Sequence, residues 1–277
     1  MSNLLVRTIT GSIYVAVILS GLFHPCLFPI VFSIAAGLTL WEFYGLIRRH
    51  SVPSFSGQLA GTIGGIYLFA ASFVYVNAWS DSRIFLPYLL FLLFVFISEM
   101  YAQREAPLSN WAFMLLGQVY CAAPFALLNG IVFQPGDSFP VRFVSLPALA
   151  LFVFVWLNDS GAYLIGSKLG RHRLFERISP KKSWEGFFGG LFVVLIASQI
   201  FAFYIPAISW FHWLGMSAII VVFATWGDLV ESLLKRSLGV KDSGALLPGH
   251  GGMLDRFDSI LLALPALYLY LQLFIQN

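Results

Sequence analysis

Long apolar runs separated by short polar interruptions dominate the chain, and within the runs apolar and polar residues do not alternate. The interruptions leave nine candidate spans at residues 8–23, 26–47, 57–79, 84–101, 110–133, 144–166, 186–206, 212–234 and 259–275. A helix rising about 1.5 Å per residue crosses a hydrocarbon core of about 30 Å in about 20 residues, so runs of this length predict transmembrane helices. Continuous apolarity argues against a β-barrel, and a helix satisfies its own backbone hydrogen bonds in lipid. The expected fold is therefore all-α: a polytopic membrane protein of about nine helices.

Composition agrees, with 59% hydrophobic and only 10% charged residues, against about 25% charged in a soluble domain. The first apolar run follows Arg7 as in a secretory signal, but no small-residue cleavage pattern leads into a polar domain, so it is expected to remain as the first span. Cys26 and Cys121 lie inside apolar runs with no partner motif, which predicts packing roles and neither a disulfide nor a zinc site.

The distribution of charge orients the spans. Arg7, Arg48, Arg49, Arg104, the group from Lys168 to Lys182 and the group from Lys235 to Arg256 fall on one side, and only Arg83 and Arg142 on the other. A 14 to 2 split of the 16 lysines and arginines predicts a cytoplasmic N-terminus. Charge also divides the chain along its length. Residues 1–143 form an N-terminal region of about five helices with short, sparsely charged loops. Residues 144–277 carry two long, charged cytoplasmic connections, where chemistry is expected. In the third span Gly57, Gly61 and Gly65 fall on one helical face. Close packing inside the chain is the plain reading, and the seam of a homodimer the sharper one.

The richest segment runs from Ser232 to Asp258. Gly244, Gly249, Gly251 and Gly252 surround Pro248 and His250, giving a backbone able to turn tightly and bring N–H groups to an anion. Lys235, Arg236, Lys241 and Arg256 around it favour phosphate binding. His250 could carry a proton or contact phosphate. Asp255 and Asp258 are three residues apart and would share a helical face. Asp228 and Glu231 lie at the end of an apolar span, where a carboxylate is expensive and faces a cavity, a partner or an ion. Asp228, Ser232 and Lys235 also share a face, so Asp228 could simply pair with a lysine. Three aspartates with no cysteine and no histidine pair suit instead a hard cation such as Mg²⁺.

Asn158, Asp159, Ser160 and Gly161 stand at the end of the sixth span, and the connection that follows ends in Ser179-Pro-Lys-Lys-Ser-Trp-Glu-Gly186. Ser179, Lys181, Lys182 and Ser183 precede a helix whose N-terminus favours anions. Glu185 in the first helical turn suits both that dipole and a lysine partner, a structural role. Arg171, Arg173 and Arg177 read as topology signals that attract anionic headgroups of membrane lipids. No P-loop or dinucleotide fingerprint occurs, and nothing points to nucleic acid.

The Ser232 to Asp258 segment resembles the signature of the phosphatidate cytidylyltransferases, also called CDP-diacylglycerol synthases. The residues that carry the resemblance are Ser232, Lys235, Arg236, Lys241, Asp242, Gly244, Pro248, His250, Gly251, Gly252, Asp255, Arg256 and Asp258. The stretches Asn158 to Tyr163 and Ser179 to Gly186 are similar too, with Ser183 where threonine is common. The resemblance implies transfer of a cytidylyl group from CTP to phosphatidic acid at the cytoplasmic face of a bacterial inner membrane, releasing pyrophosphate. On that reading Asp228, Asp255 and Asp258 hold Mg²⁺, with two cation sites expected. Lys235, Arg236, Lys241 and Arg256 meet the phosphates of CTP or pyrophosphate, helped by backbone N–H groups around Gly249, Gly251 and Gly252. Ser179, Lys181 and Lys182 close the site. Two rivals are a related enzyme acting on another lipid phosphate and an ion-coupled transporter. Charge crowded at one surface and the lack of an internal repeat weigh against the transporter.

Overall fold

A computed structural model describes residues 3–50, 55–134, 141–244, 246 and 251–275. It is an all-α polytopic membrane protein. Among the described residues eight helical runs, from Leu27–Arg48 to Leu254–Phe274, have the length and hydropathy to cross a bilayer. The first helix, α1 (Asn3–Phe23), has a shorter apolar part, Arg7–Phe23. The chain forms two compact units, Met1–Ser145 with Val240–Phe257, and Leu146–Gly239 with Asp258–Asn277.

The first unit contains α1, α2 (Leu27–His50), α3 (Phe55–Val76), α4 (Leu86–Ala102), α5 (Pro107–Gly117) and α6 (Ala123–Val132). A π-helical turn, Gln118–Ala122, joins α5 to α6 into one span. It precedes Pro124, which has no N–H to offer the carbonyl of Tyr120. Gln118 Nε2 there donates to Tyr44 Oη (2.7 Å) and to the carbonyl of Gly61 (2.8 Å), and Tyr44 Oη donates to the carbonyl of Met114 (2.8 Å). These bonds satisfy buried polar groups across three helices.

The glycine face of α3 is filled by this same unit. A methyl group at Gly61 would collide with the Tyr44 ring, and one at Gly65 with Leu40 and Ala122. Those two glycines therefore serve packing within the chain. An aromatic cluster closes the far end of the unit. Phe28 meets Phe133 and Phe143 edge-on at 5.4 and 6.1 Å, while β1 (Phe133–Gln134) pairs antiparallel with β2 (Arg142–Phe143).

The second unit contains α7 (Leu146–Leu169), a hairpin of β3 (Arg173–Phe175) and β4 (Ser179–Ser183), α8 (Trp184–Tyr204), α9 (Trp210–Ser237) and most of α10. Helix α10 (Leu254–Phe274) starts in the first unit and enters the second at Asp258. Helices α7 and α8 approach closely because small residues face each other. A methyl group at Gly161 would lie 3.2 Å from the Cα of Gly190, and one at Gly166 3.3 Å from that of Gly186. Helix α7 matches the expected span 144–166 to within three residues at either end and carries Asn158 and Asp159 inside it. A polar stretch facing a protein cavity need not end a helix.

Candidate active site

In the second unit α7, the β3–β4 hairpin, α8 and α9 enclose a cavity of about 550 Å³. Its lining brings together Asn158 and Asp159 from α7, Arg173, Lys181, Lys182 and Ser183 from the hairpin, and Thr225 and Asp228 from α9. Three cations and two carboxylates thus share a concavity whose remaining walls include Ala162, Leu174 and Phe187. This is the chemistry expected where phosphate groups bind beside apolar tails.

The hairpin is held in place locally. Ser183 caps α8 by accepting from the Gly186 N–H at 3.1 Å. The Glu185 carboxylate accepts the N–H groups of Arg171 and His172, both at 3.1 Å, and lies 2.6 Å from His172 Nδ1. Glu185 is therefore structural, but it takes His172 and two backbone groups where a lysine was expected. Arg173, expected to be a topology signal, lines the cavity. Antiparallel pairing sets it opposite Ser183, and no helical periodicity in the sequence could reveal that strand register.

Asp228 is the hub. Its Oδ2 lies 2.5 Å from Lys182 Nζ, and its Oδ1 accepts from Ser232 Oγ at 3.2 Å. The shared face of Asp228 and Ser232 is thus realised. Lys235 instead pairs with the fully buried Glu231, four residues before it. Asp258 lies within electrostatic range of Asp228, Asp159 and Lys235, and its Oδ1 accepts the Ser259 N–H at 2.5 Å. Close helix packing supports this arrangement, because Gly227 faces the backbone of Asp258 and Ser259. Asn158 is buried, with its Oδ1 enclosed and without a hydrogen-bond partner among the described residues. Arg236 is exposed at the end of α9.

The rest of the signature belongs to the first unit. Lys241 and Asp242 are exposed. Asp255 accepts the N–H groups of Ser243 (3.1 Å) and Gly252 (2.8 Å), so the Gly252 N–H expected for phosphate goes to a carboxylate of the chain itself. Gly251 has φ +84°, a left-handed conformation that favours glycine. The backbone carbonyl of Arg256 accepts from Tyr14 Oη at 3.4 Å. Gly249 and His250 lie outside the described residues. Sequence reasoning missed Glu42 on α2. Its Oε2 accepts from the Leu254 N–H at 2.9 Å and from Ser243 Oγ at 3.3 Å. A lone acid in an apolar span was the available signal.

Among the described residues no three His, Cys, Asp or Glu side chains are placed to hold one metal ion as they stand. Asp228 and Asp159 both oppose the charge on Asp258, a repulsion that a hard cation would relieve.

A helical membrane bundle holding a pocket of lysine, arginine and aspartate is the framework of a membrane-embedded enzyme that handles phosphate groups. The chain belongs to the cytidylyltransferase family, which it matches over residues 5–274, and is accordingly a nucleotidyltransferase. A phosphatidate cytidylyltransferase of Staphylococcus aureus (strain COL) is 35% identical over 271 residues, 96% of this chain and 98% of that protein. The protein of the same name from Staphylococcus haemolyticus (strain JCSC1435) is 34% identical over 272 residues, again 96% and 98%. The one from Bacillus subtilis (strain 168) is 49% identical over 123 residues, 44% of this chain and 46% of that protein.

Proposed function

We propose that the chain transfers the cytidylyl group of CTP to phosphatidic acid, forming CDP-diacylglycerol and pyrophosphate at the cytoplasmic face of a bacterial membrane. The observation that carries this reading is the pocket where Arg173, Lys181 and Lys182 meet Asp159 and Asp228 beside apolar walls, in a member of this family. A phosphate oxygen of the lipid attacks the α-phosphorus of CTP, a new P–O bond forms, and the bond to pyrophosphate breaks. The attacking phosphate is already ionised near neutral pH, so the step requires no general base.

The protein's contribution is orientation and neutralisation of charge. Arg173, Lys181 and Lys182 meet phosphate oxygens from the hairpin, and Lys235, offset by Glu231, adds positive charge near Asp258. Asp159, Asp228 and Asp258 are the side chains that would hold Mg²⁺. The bound ion would supply neutralisation of phosphate oxygens, as in other phosphoryl-transfer sites. Asp255 is given a different task, fastening the backbone around Ser243 and Gly252. The 14 to 2 split of lysine and arginine supports a cytoplasmic N-terminus and a hairpin on the same side.

The test is release of pyrophosphate by purified protein given CTP, phosphatidic acid and Mg²⁺. No release above a control lacking the lipid would reject the reading. Parallel assays with diacyl and ether-linked lipid phosphates separate the acceptor classes, which the pocket's charges do not discriminate.

A further inference from the structure

We propose that Glu42 is a positioning residue that fastens the signature segment at Ser243 and Leu254, a role that rests on the function proposed above. Glu42 lies in α2, more than 200 residues before the segment it touches, in a stretch that reads Leu-Thr-Leu-Trp-Glu-Phe-Tyr. An acid at that depth is costly unless something compensates it. Its compensation is the start of α10, whose first N–H groups have no partner inside the helix and carry partial positive charge.

Two carboxylates act together. Glu42 takes the Leu254 N–H and the Ser243 hydroxyl, while Asp255 takes the Ser243 N–H and the Gly252 N–H. Ser243 is therefore held twice, by its backbone and by its side chain, and Gly252 and Leu254 once each. Signature residues stand on both flanks: Lys241 and Asp242 just before Ser243, Asp255 and Arg256 just after Leu254.

The glycines of the signature fit the same account. A methyl group at Gly244 would sit 2.6 Å from Glu42 Oε1, and one at Gly252 would collide with Glu42 Oε2 and Ser243 Oγ. Glu42 Oε1 is enclosed and has no hydrogen-bond partner among the described residues, so the carboxylate is pressed against the segment and not spread into solvent. At Gly244 and Gly252 the side chain is missing because a carboxylate from α2 occupies its place.

The experiment combines Glu42→Ala, Gly244→Ala and the double variant, read by steady-state kinetics and by amide hydrogen exchange. In Glu42→Ala the KM for CTP should rise about tenfold while the KM for phosphatidic acid changes less than about twofold. The Ser243 and Leu254 amides should exchange at least about tenfold faster, with α7 unchanged. Gly244→Ala should reproduce both effects. The double variant should be no worse than Glu42→Ala, because the colliding partner is gone. A loss of kcat with both KM values and the exchange rates unchanged would mean that Glu42 only supports folding, and would overturn the proposal. Glu42→Gln covers an alanine variant that does not fold. It keeps one acceptor oxygen but no charge and should raise the KM for CTP about threefold. An unchanged KM there also overturns the proposal. If the unaltered protein makes no CDP-diacylglycerol, the functional reading fails, while the exchange measurement still decides whether Glu42 fastens the segment.

Discussion

Replacing Gly227 by alanine should separate stability from catalysis. The added methyl carbon would stand 2.6 Å from the carbonyl oxygen of Asp258, 3.0 Å from that of Ser259 and 3.1 Å from the Ser259 Cα. All three obstacles are backbone, so no side chain can swing away. Ordinary contact begins at 3.4 Å, and the first turn of α10 within the second unit must retreat from α9 by about 0.8 Å. Overpacking of this kind costs about 1–3 kcal/mol, but alanine regains about 1 kcal/mol over glycine inside a helix. The net loss of stability is then about 0–2 kcal/mol, a few degrees in melting temperature. Activity is far more sensitive, because a misplacement of about 1 Å costs about 10²-fold, and the displaced turn carries Asp258 away from Asp228. The assay is formation of CDP-diacylglycerol from labelled CTP in mixed micelles, with melting followed in the same detergent. Gly215→Ala is the control on the same helix, since the obstacle there is the Tyr270 side chain, which can move. A Gly227→Ala enzyme with kcat within about twofold of the parent would refute the claim that this packing sets the spacing of the carboxylates.

Other outcomes follow from the same geometry. Lys182→Met removes a pocket cation and the ion partner of Asp228; it should lower kcat/KM about 10²-fold with an unchanged melting curve, and full activity would remove Lys182 from the site. Asp255→Ala should abolish turnover in a folded protein, whereas near-parental rates would show that its two backbone bonds are dispensable. Tyr44→Phe strands the Met114 carbonyl and weakens the hold on Gln118; it should lower stability by about 1–3 kcal/mol in chemical denaturation and leave kcat unchanged. Chelation of divalent ions should stop pyrophosphate release, and Mg²⁺ should restore it; turnover persisting in chelator would reject the metal reading.

The spans were legible because hydrocarbon imposes one rule on every residue, and Asp228 was legible because a carboxylate breaks that rule. Glu42 breaks it too, but it stands alone among apolar residues, and its partners Ser243 and Leu254 are remote in sequence. Lys235 shows the limit of helical geometry. Its i+7 relation to Asp228 was visible, yet the i+4 relation to Glu231 is closer and prevails. Arg173 depended on a strand pairing between two short polar segments, for which neither a period of 3.6 nor alternation gives a signal. The glycines of α3 were visible as a stripe, but whether the covering surface was Tyr44 or another copy of the chain required tertiary structure.

The β3–β4 hairpin also works as a depth gauge. A two-stranded ribbon leaves backbone groups open along its outer edges and cannot sit in hydrocarbon, so it marks a level that water reaches. Lys182 ties that level to Asp228. Below it, Trp210–Gly227 supplies 18 residues of α9, a length of about 27 Å, which nearly matches a hydrocarbon core of about 30 Å. Above it, the remaining turns of α9 rise out of the oily layer. On the function proposed above, the headgroup phosphate of a bilayer lipid stands at that boundary and slides sideways to react, while the nucleotide descends to meet it.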